Sequence, residues 1–429
     1  MSDAAAGQEG AISRGYARYV FVLLFLLYMF DYTDRMVVVS LFEHIKLDWG
    51  INDTQCGMLV SAVYWSILVF ALPCSMLVDR WSRRRTIGMM ALLWSLATGA
   101  CAFTRNYRQM FAARSLVGIG EAGYSPGGTA MIAALFPENK RSTVMGIWNA
   151  SIPLGSALGV ALGGFVAVHW GWRHAFGLVA LPGMIIALLF FRIRDYRTVE
   201  LIKPADKKQE RVRMRRIDVL REFTRNGTLI FTYLGFAANT FVTTSLLSWL
   251  PAYYHRIDGL PMDRAGLKGG LVMLPAMIGA PLGGYLVDRW RRKRENARPL
   301  FAALSSSLFA LVLFTAMVLL QGAAQYAMLL LAGALAVFYL PAAAATTQDV
   351  IHPGLRATSY GLCVIVQNLL GSSLGPIFVG ALSDRYGLHT GLSMLPLFAA
   401  MGGLLFFIAS QFHKRDLALV ERVEISYEG

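Results

Sequence analysis

The sequence predicts an all-α membrane protein of twelve transmembrane helices in two six-helix bundles. Three observations predict it. Hydrophobic residues make up 56 % of the 429-residue chain and charged residues only 15 %, with a mean hydropathy of +0.50, outside the range of an ordinary soluble domain. Apolar runs recur at about the 20 residues that a helix needs to cross a hydrocarbon core about 30 Å thick. Motifs of the first half return in the second at a nearly constant offset.

The runs fall at 19–42, 57–78, 86–103, 109–136, 142–168, 174–191, 227–250, 266–287, 299–320, 324–349, 357–383 and 391–412. They are expected to be helices, because a backbone in lipid must satisfy its own hydrogen bonds. Residues 1–18 are polar and rich in Gly and Ala, without the short apolar core and cleavage site of a signal peptide, so the first run is the insertion signal. Cys56, Cys74, Cys101 and Cys363 stand at no metal-ligand or redox spacing and read as small hydrophobes in packed helices. The Asn-x-Ser/Thr matches at Asn52, Asn149 and Asn226 are weak patterns, and Asn149 lies inside a span.

The net charge of +14 is concentrated in alternate loops. Arg80, Arg83, Arg84 and Arg85 follow the second run, twelve Lys and Arg fill 192–225, and Arg289, Arg291, Arg292, Lys293, Arg294 and Arg298 follow the eighth. That is the positive-inside pattern of a multi-pass protein rather than a nucleic-acid surface, although Arg105 and Arg108 run against it. It places both termini in the cytoplasm, in a bacterial inner (plasma) membrane. The RVRMRR stretch at 211–216 reads as a linker lying on anionic head groups. The organisation is a cytoplasmic tail (1–18), an N-terminal bundle (19–191), a basic linker (192–226), a C-terminal bundle (227–412) and a second tail (413–429).

The repeat is specific. LVDRW at 77–81 recurs at 286–290, RSTVMG at 141–146 answers RATSYG at 356–361, and LGSALG at 154–159 answers LGSSLG at 370–375. A six-span unit duplicated in one orientation gives two bundles around a central cavity, the parallel-repeat plan of secondary transporters. Glycines 155, 159 and 163, like 371 and 375, recur every four residues and let neighbouring helices approach closely.

Ser75-Met-Leu-Val-Asp79-Arg80-Trp-Ser-Arg83-Arg84 and Gly284-Tyr-Leu-Val-Asp288-Arg289-Trp-Arg-Arg292-Lys293 resemble the loop signature of the major facilitator superfamily, with Ser75 and Ser82 where the family has Gly. Asp31-Tyr32-Thr33-Asp34-Arg35 is similar to the Asn-Tyr-x-Asp-Arg stretch of its spinster-like and organic anion:cation symporter branches, with Asp31 in place of Asn. Arg114-Ser-Leu-Val-Gly118-Ile-Gly120-Glu121-Ala122-Gly123-Tyr124 and Ser151-Ile-Pro153-Leu-Gly155-Ser resemble spinster helices 4 and 5. The resemblance spans about 18–412 and implies a major facilitator fold. It also implies a conformational latch at Asp79, Arg80, Arg84, Asp288 and Arg289.

An ionised group at the centre of a spanning helix costs about 2.5–3.5 kcal/mol on insertion scales, so it persists only beside a partner or a wet cavity. Asp31, Asp34 and Arg35 crowd one stripe of the first span, and Arg114 and Glu121 lie two turns apart on the fourth. Two acids beside one guanidinium cannot both be compensated, which suits Asp34, Glu121 and Asp31 to proton coupling. Arg114 or Arg35 would pair with an anionic substrate, flanked by Tyr32 and Tyr124. The competing reading is static salt bridges that pin helices. The second half carries neutral groups in the same region, with Asn239, Gln367 and Asn368 as its candidate substrate contacts.

No phosphate-binding loop, metal-spaced His or Cys cluster or nucleophile motif occurs, so no enzyme activity, cofactor or metal is expected. The expected function is proton-coupled transport of a small carboxylate-type anion by alternating access. A spinster-like carrier of lysolipid or sphingoid amphiphiles and a passive facilitator or channel are the alternatives. The expected partners are that substrate, protons and membrane lipids, with the chain a monomer.

Overall fold

The computed structural model describes residues 14–80, 83–136, 138–193, 223–352 and 355–420, and among them every regular element is helical. The first half comprises α1 (Arg14–Val37), α2 (Phe42–Trp49), α3 (Asp53–Arg80), α4 (Arg83–Cys101), α5 (Tyr107–Glu121), α6 (Tyr124–Leu135), α7 (Glu138–Asn149), α8 (Ser151–Trp170) and α9 (Trp172–Phe190). The second comprises α10 (Gly227–Arg256), α11 (Met262–Leu271), α12 (Ala276–Arg291), α13 (Ala297–Phe314), α14 (Gly322–Leu335), α15 (Leu340–Asp349), α16 (Arg356–Val366), α17 (Leu374–Tyr386), α18 (Leu388–Ser393) and α19 (Leu395–Ala418). Every expected span coincides with one of these helices or with two in succession. Nine helices among the described residues are long and apolar enough to cross a membrane.

Several spans expected as continuous helices are broken. The fourth is interrupted at residues 122–123, between α5 and α6, directly after Glu121. The eighth is interrupted at 272–275, where Pro275 supplies no amide hydrogen. The eleventh passes through a π-helical turn at Gln367–Ser372, a local widening often found at functional sites. Hydropathy counts side chains and is blind to such backbone adjustments. The short α2 was not foreseen either; it ends on Gly50, whose φ of 64° closes the helix in the left-handed region.

The repeat is visible in the packing. α8 lies against α1 with Gly155, Gly159 and Gly163 facing the α1 backbone, where an added Cβ would collide with Met29, Thr33 and Val37. In the second half Gly371 and Gly375 face Ala237 and Phe241 of α10 in the same way. Close backbone approach without side chains is what small-residue stripes provide in lipid.

We call the end carrying the arginine-rich loops the basic face. One buried apolar cluster runs through both halves and includes Met36, Leu59, Val160, Trp249 and Val272, all towards the opposite face. Two further clusters stay within single halves, around Trp94 and Trp148 in the first and around Phe236 and Phe406 in the second. The halves are therefore fused at the opposite face and packed separately towards the basic one. Residues 194–222 of the basic linker expected at 192–226, including the RVRMRR stretch, and residues 1–13 and 421–429 lie outside the described residues. The four cysteines are free.

Candidate functional site

The charged stripe of α1 meets the end of α5 in the interior. Arg35 Nε lies 2.8 Å from Glu121 Oε2, and Arg35 Nη2 lies 3.0 Å from Asp31 Oδ2. The two acids are buried, while the Arg35 side chain keeps 12 % of its surface exposed. Its guanidinium also sits over the ring of Tyr32, 4.7 Å from the centroid, and 5.8 Å from that of Tyr64, a cation–π arrangement that holds the group when its ion pairs loosen. The fold thus joins Asp31 and Arg35 of the first span to Glu121 of the fourth, where the sequence had set Glu121 beside Arg114.

Arg114 is differently employed. It is fully buried and donates to the carbonyls of Asp34 at 2.8 Å, Arg35 at 3.0 Å and Leu59 at 3.4 Å. It ties α5 to the backbones of α1 and α3, leaving Arg35 as the one of the two that keeps some exposure. Asp34, also fully buried, forms no ion pair among the described residues and lies beside Thr98 and Arg114. Three carboxyls and two guanidiniums occupy this interior, so the cluster is neutral when one carboxyl keeps a proton.

Tyr124 is buried and spends its hydroxyl on the carbonyl of Leu24 at 2.5 Å. It belongs to an aromatic wall in which Tyr28 stacks on Trp148 at 4.3 Å and lies 5.4 Å from Tyr32. In the second half Asn239 is fully buried and donates to Gly235, with its amide against Gly402 of α19, inside its own bundle. Gln367 and Asn368 are half-buried in the π turn, which packs against both α10 and α3 and so stands between the halves. Of the residues expected to form a latch, Arg84 donates to the carbonyl of Ile193 at 2.7 Å. Asp288 and Arg289 are exposed, and the side chains of Asp79 and Arg80 lie outside the described residues.

A second charged constellation, missed in the sequence, closes the opposite face. Arg256, at the end of α10, grips Asp53 with two bonds of 2.6 and 2.8 Å and reaches Glu43 at 2.7 Å. Lys46 and Ser383 add bonds of 2.5 Å each to Asp53. Asp384 of α17 caps the start of α3 across the boundary, accepting from the amides of Asp53 at 2.8 Å and Thr54 at 2.9 Å. Both the ion pairs and this cap join one half to the other. The available signal was charge at helix ends, at Asp53 opening α3, Arg256 closing α10 and Asp384 near the end of α17. Towards the basic face the described ion pairs, such as Arg298 with Asp349, stay within a half. Near the closed face, hydrogen bonds from Trp172 and Arg173 hold the Asp48 carboxyl below its usual range.

Comparison with known proteins agrees with this architecture. A family model described as Major Facilitator Superfamily matches residues 24–376. The chain is 26 % identical over 393 residues to the hexuronate transporter of Bacillus subtilis (strain 168), covering 90 % of this chain and 92 % of that one. It is 28 % identical over 449 residues to protein spinster homolog 1 of Bos taurus, covering 95 % and 84 %. A solved structure of a bacterial homologue of the human lysosomal transporter Spinster, inward-facing and unoccupied, superposes with a TM-score of 0.82 at 21 % identity over 94 % of this chain and 99 % of that one. Matched by that model over most of its length, and carrying the Asp-Arg motif once in each half, the chain belongs to the Major Facilitator Superfamily.

Proposed function

We propose that the chain is a proton-coupled secondary transporter of a small organic anion of the carboxylate type, working by alternating access. The observation that carries this reading is Arg35, held between two buried acids and still partly exposed. A guanidinium shared by Asp31, Glu121 and an incoming carboxylate cannot serve all three. A proton on either acid frees one edge of Arg35 for the substrate, and departure of the substrate returns that edge to the acid, so proton and anion travel together. Asp34 is the third proton carrier of the cluster, and Arg114 holds the α1 backbone on which Asp31, Asp34 and Arg35 stand.

Gln367 and Asn368 supply neutral hydrogen-bonding groups from the facing half, suited to the hydroxyls of a sugar acid, in line with the hexuronate transporter among the relatives. With the basic face cytoplasmic, the contacts described correspond to a carrier closed outwards and parted inwards. The network of Asp53 and Arg256 is then the outer lock, and the Asp79, Arg80, Arg84, Asp288 and Arg289 motifs are its inner counterpart.

The tyrosine rings under Arg35 also suit an amphiphilic anion, which keeps the spinster-like alternative in view. A thermal-shift screen of the purified chain separates the two. Hexuronates and other small carboxylates raise the melting temperature, and Arg35→Ala removes the shift; stabilisation by lysolipids alone would overturn the carboxylate reading.

A further inference from the structure

We propose that the furrow between α13 and α19 is a binding site for an anionic glycerophospholipid of the leaflet that meets the basic face. The furrow lies on the outer surface of the second half, away from the charged interior. Its walls are built at matching helical spacing, Leu300, Ala303, Leu304 and Ser307 on α13 and Ala400, Gly403, Leu404 and Phe407 on α19. Positions three, four and seven apart form one face of a helix, so the two stripes enclose a cleft about two turns, or about 10 Å, deep. Its volume is about 460 Å³. Gly403 forms the floor, where a Cβ would meet Ser307 and Ala303. Leu304 and Leu404, at 60 % and 58 % exposure, form the rims. An apolar cleft on a membrane-facing surface takes an acyl chain.

The head-group end is equally defined. Trp290 closes the furrow towards the basic face, and Arg294 lines both the furrow and an adjoining polar pocket of about 560 Å³. That pocket is formed by Lys293, Arg294, Glu295, Asn296 and Lys414, three cations against one acid. Tryptophan and basic residues stacked over an apolar cleft at the membrane surface match the order of a phospholipid, with glycerol at the indole and phosphate at the cations. Charge complementarity selects an anionic lipid over a zwitterionic one.

The test uses the full chain in nanodiscs of equal parts phosphatidylglycerol and phosphatidylcholine, one or the other brominated on its acyl chains. Quenching of Trp290 is isolated as the difference between the native chain and Trp290→Phe. Phosphatidylglycerol is expected to be preferred about tenfold or more. The exposed-residue variants Arg294→Gln and Lys414→Gln each lower that preference about fivefold. Ala400→Leu, at an exposed position lining the furrow, fills the cleft without altering charge and is expected to remove the contact of either lipid with Trp290. Equal quenching by both lipids, or a preference untouched by the charge variants, overturns the proposal. So does a preference that appears only after truncation at Val420, because the acidic residues Glu421, Glu424 and Glu428 would then be the natural occupant.

Discussion

Replacing Asp53 with Asn should shift the conformational balance of the carrier towards a state open at the opposite face. Asp53 is 3 % exposed and accepts two bonds from Arg256, one from Lys46 and one from Ser383. Hydrogen bonds to charged groups contribute about 1.5–3 kcal/mol each, but in the alternative state these groups regain water, so only part of that sum separates the two states. A difference of about 2–3 kcal/mol is a reasonable net figure for a bidentate, partly buried pair. It corresponds to about a 30- to 150-fold change in the ratio of states. A face open in about 1 % of native molecules would then be open in about a quarter or more of the variant. Spin labels at Leu47 and Ile257, both exposed and on opposite halves, would report this by double electron–electron resonance as a new long-distance population. Asp48→Asn, in the same region but paired within its own half with Arg173, should leave the distribution unchanged. A correctly folded Asp53→Asn protein with an unaltered distribution would refute the assignment of this network as a lock.

Three further outcomes follow from the packing and electrostatics. Arg114→Lys loses the planar fork that reaches three carbonyls at once and should destabilise the first half by about 2–5 kcal/mol, read as a lowered melting temperature; an unchanged one would mean that these bonds do not hold α1. Gly155→Leu drives a side chain into the backbone at Met29 and should abolish folded expression, whereas Gly177→Leu, with open space where its Cβ would stand, should be tolerated. The Asp48 carboxyl, lowered in the folded chain by its bonds from Trp172 and Arg173, contributes stability above the ordinary carboxylate range and loses it as pH falls through the folded value. Because this pair is largely exposed, the effect is at most about 1 kcal/mol, measurable as a difference in acid stability between the native chain and Asp48→Asn.

The positions of the helices were legible in the sequence because the signal is strong: a span must be apolar for about 20 residues, and this chain meets that condition repeatedly. That the charges of the first and fourth spans need partners was legible, since charges in lipid must find each other; that Arg35 rather than Arg114 reaches Glu121 was not. What Arg114 touches was not legible, because a guanidinium satisfied by carbonyls leaves no mark in side-chain identities. Tyr124 and Asn239 were placed near the site by their position along the helix, but hydropathy does not specify rotation about the axis, and both turn into their own bundles. The network of Asp53 and Arg256 was hidden for another reason: Asp53, Arg256 and Asp384 are far apart in sequence, and each alone reads as an ordinary charge at a helix end.

The central claim is that the buried acids around Arg35 move protons with substrate. Its most direct measurement compares two fluxes in proteoliposomes, uphill uptake driven by a pH gradient and exchange of labelled for unlabelled substrate at equal pH. Glu121→Gln and Asp34→Asn are predicted to lose uphill uptake while exchange continues, because the substrate site and the rocking motion survive without a titrating group. Variants that accumulate substrate against its gradient as well as the native chain would contradict the claim.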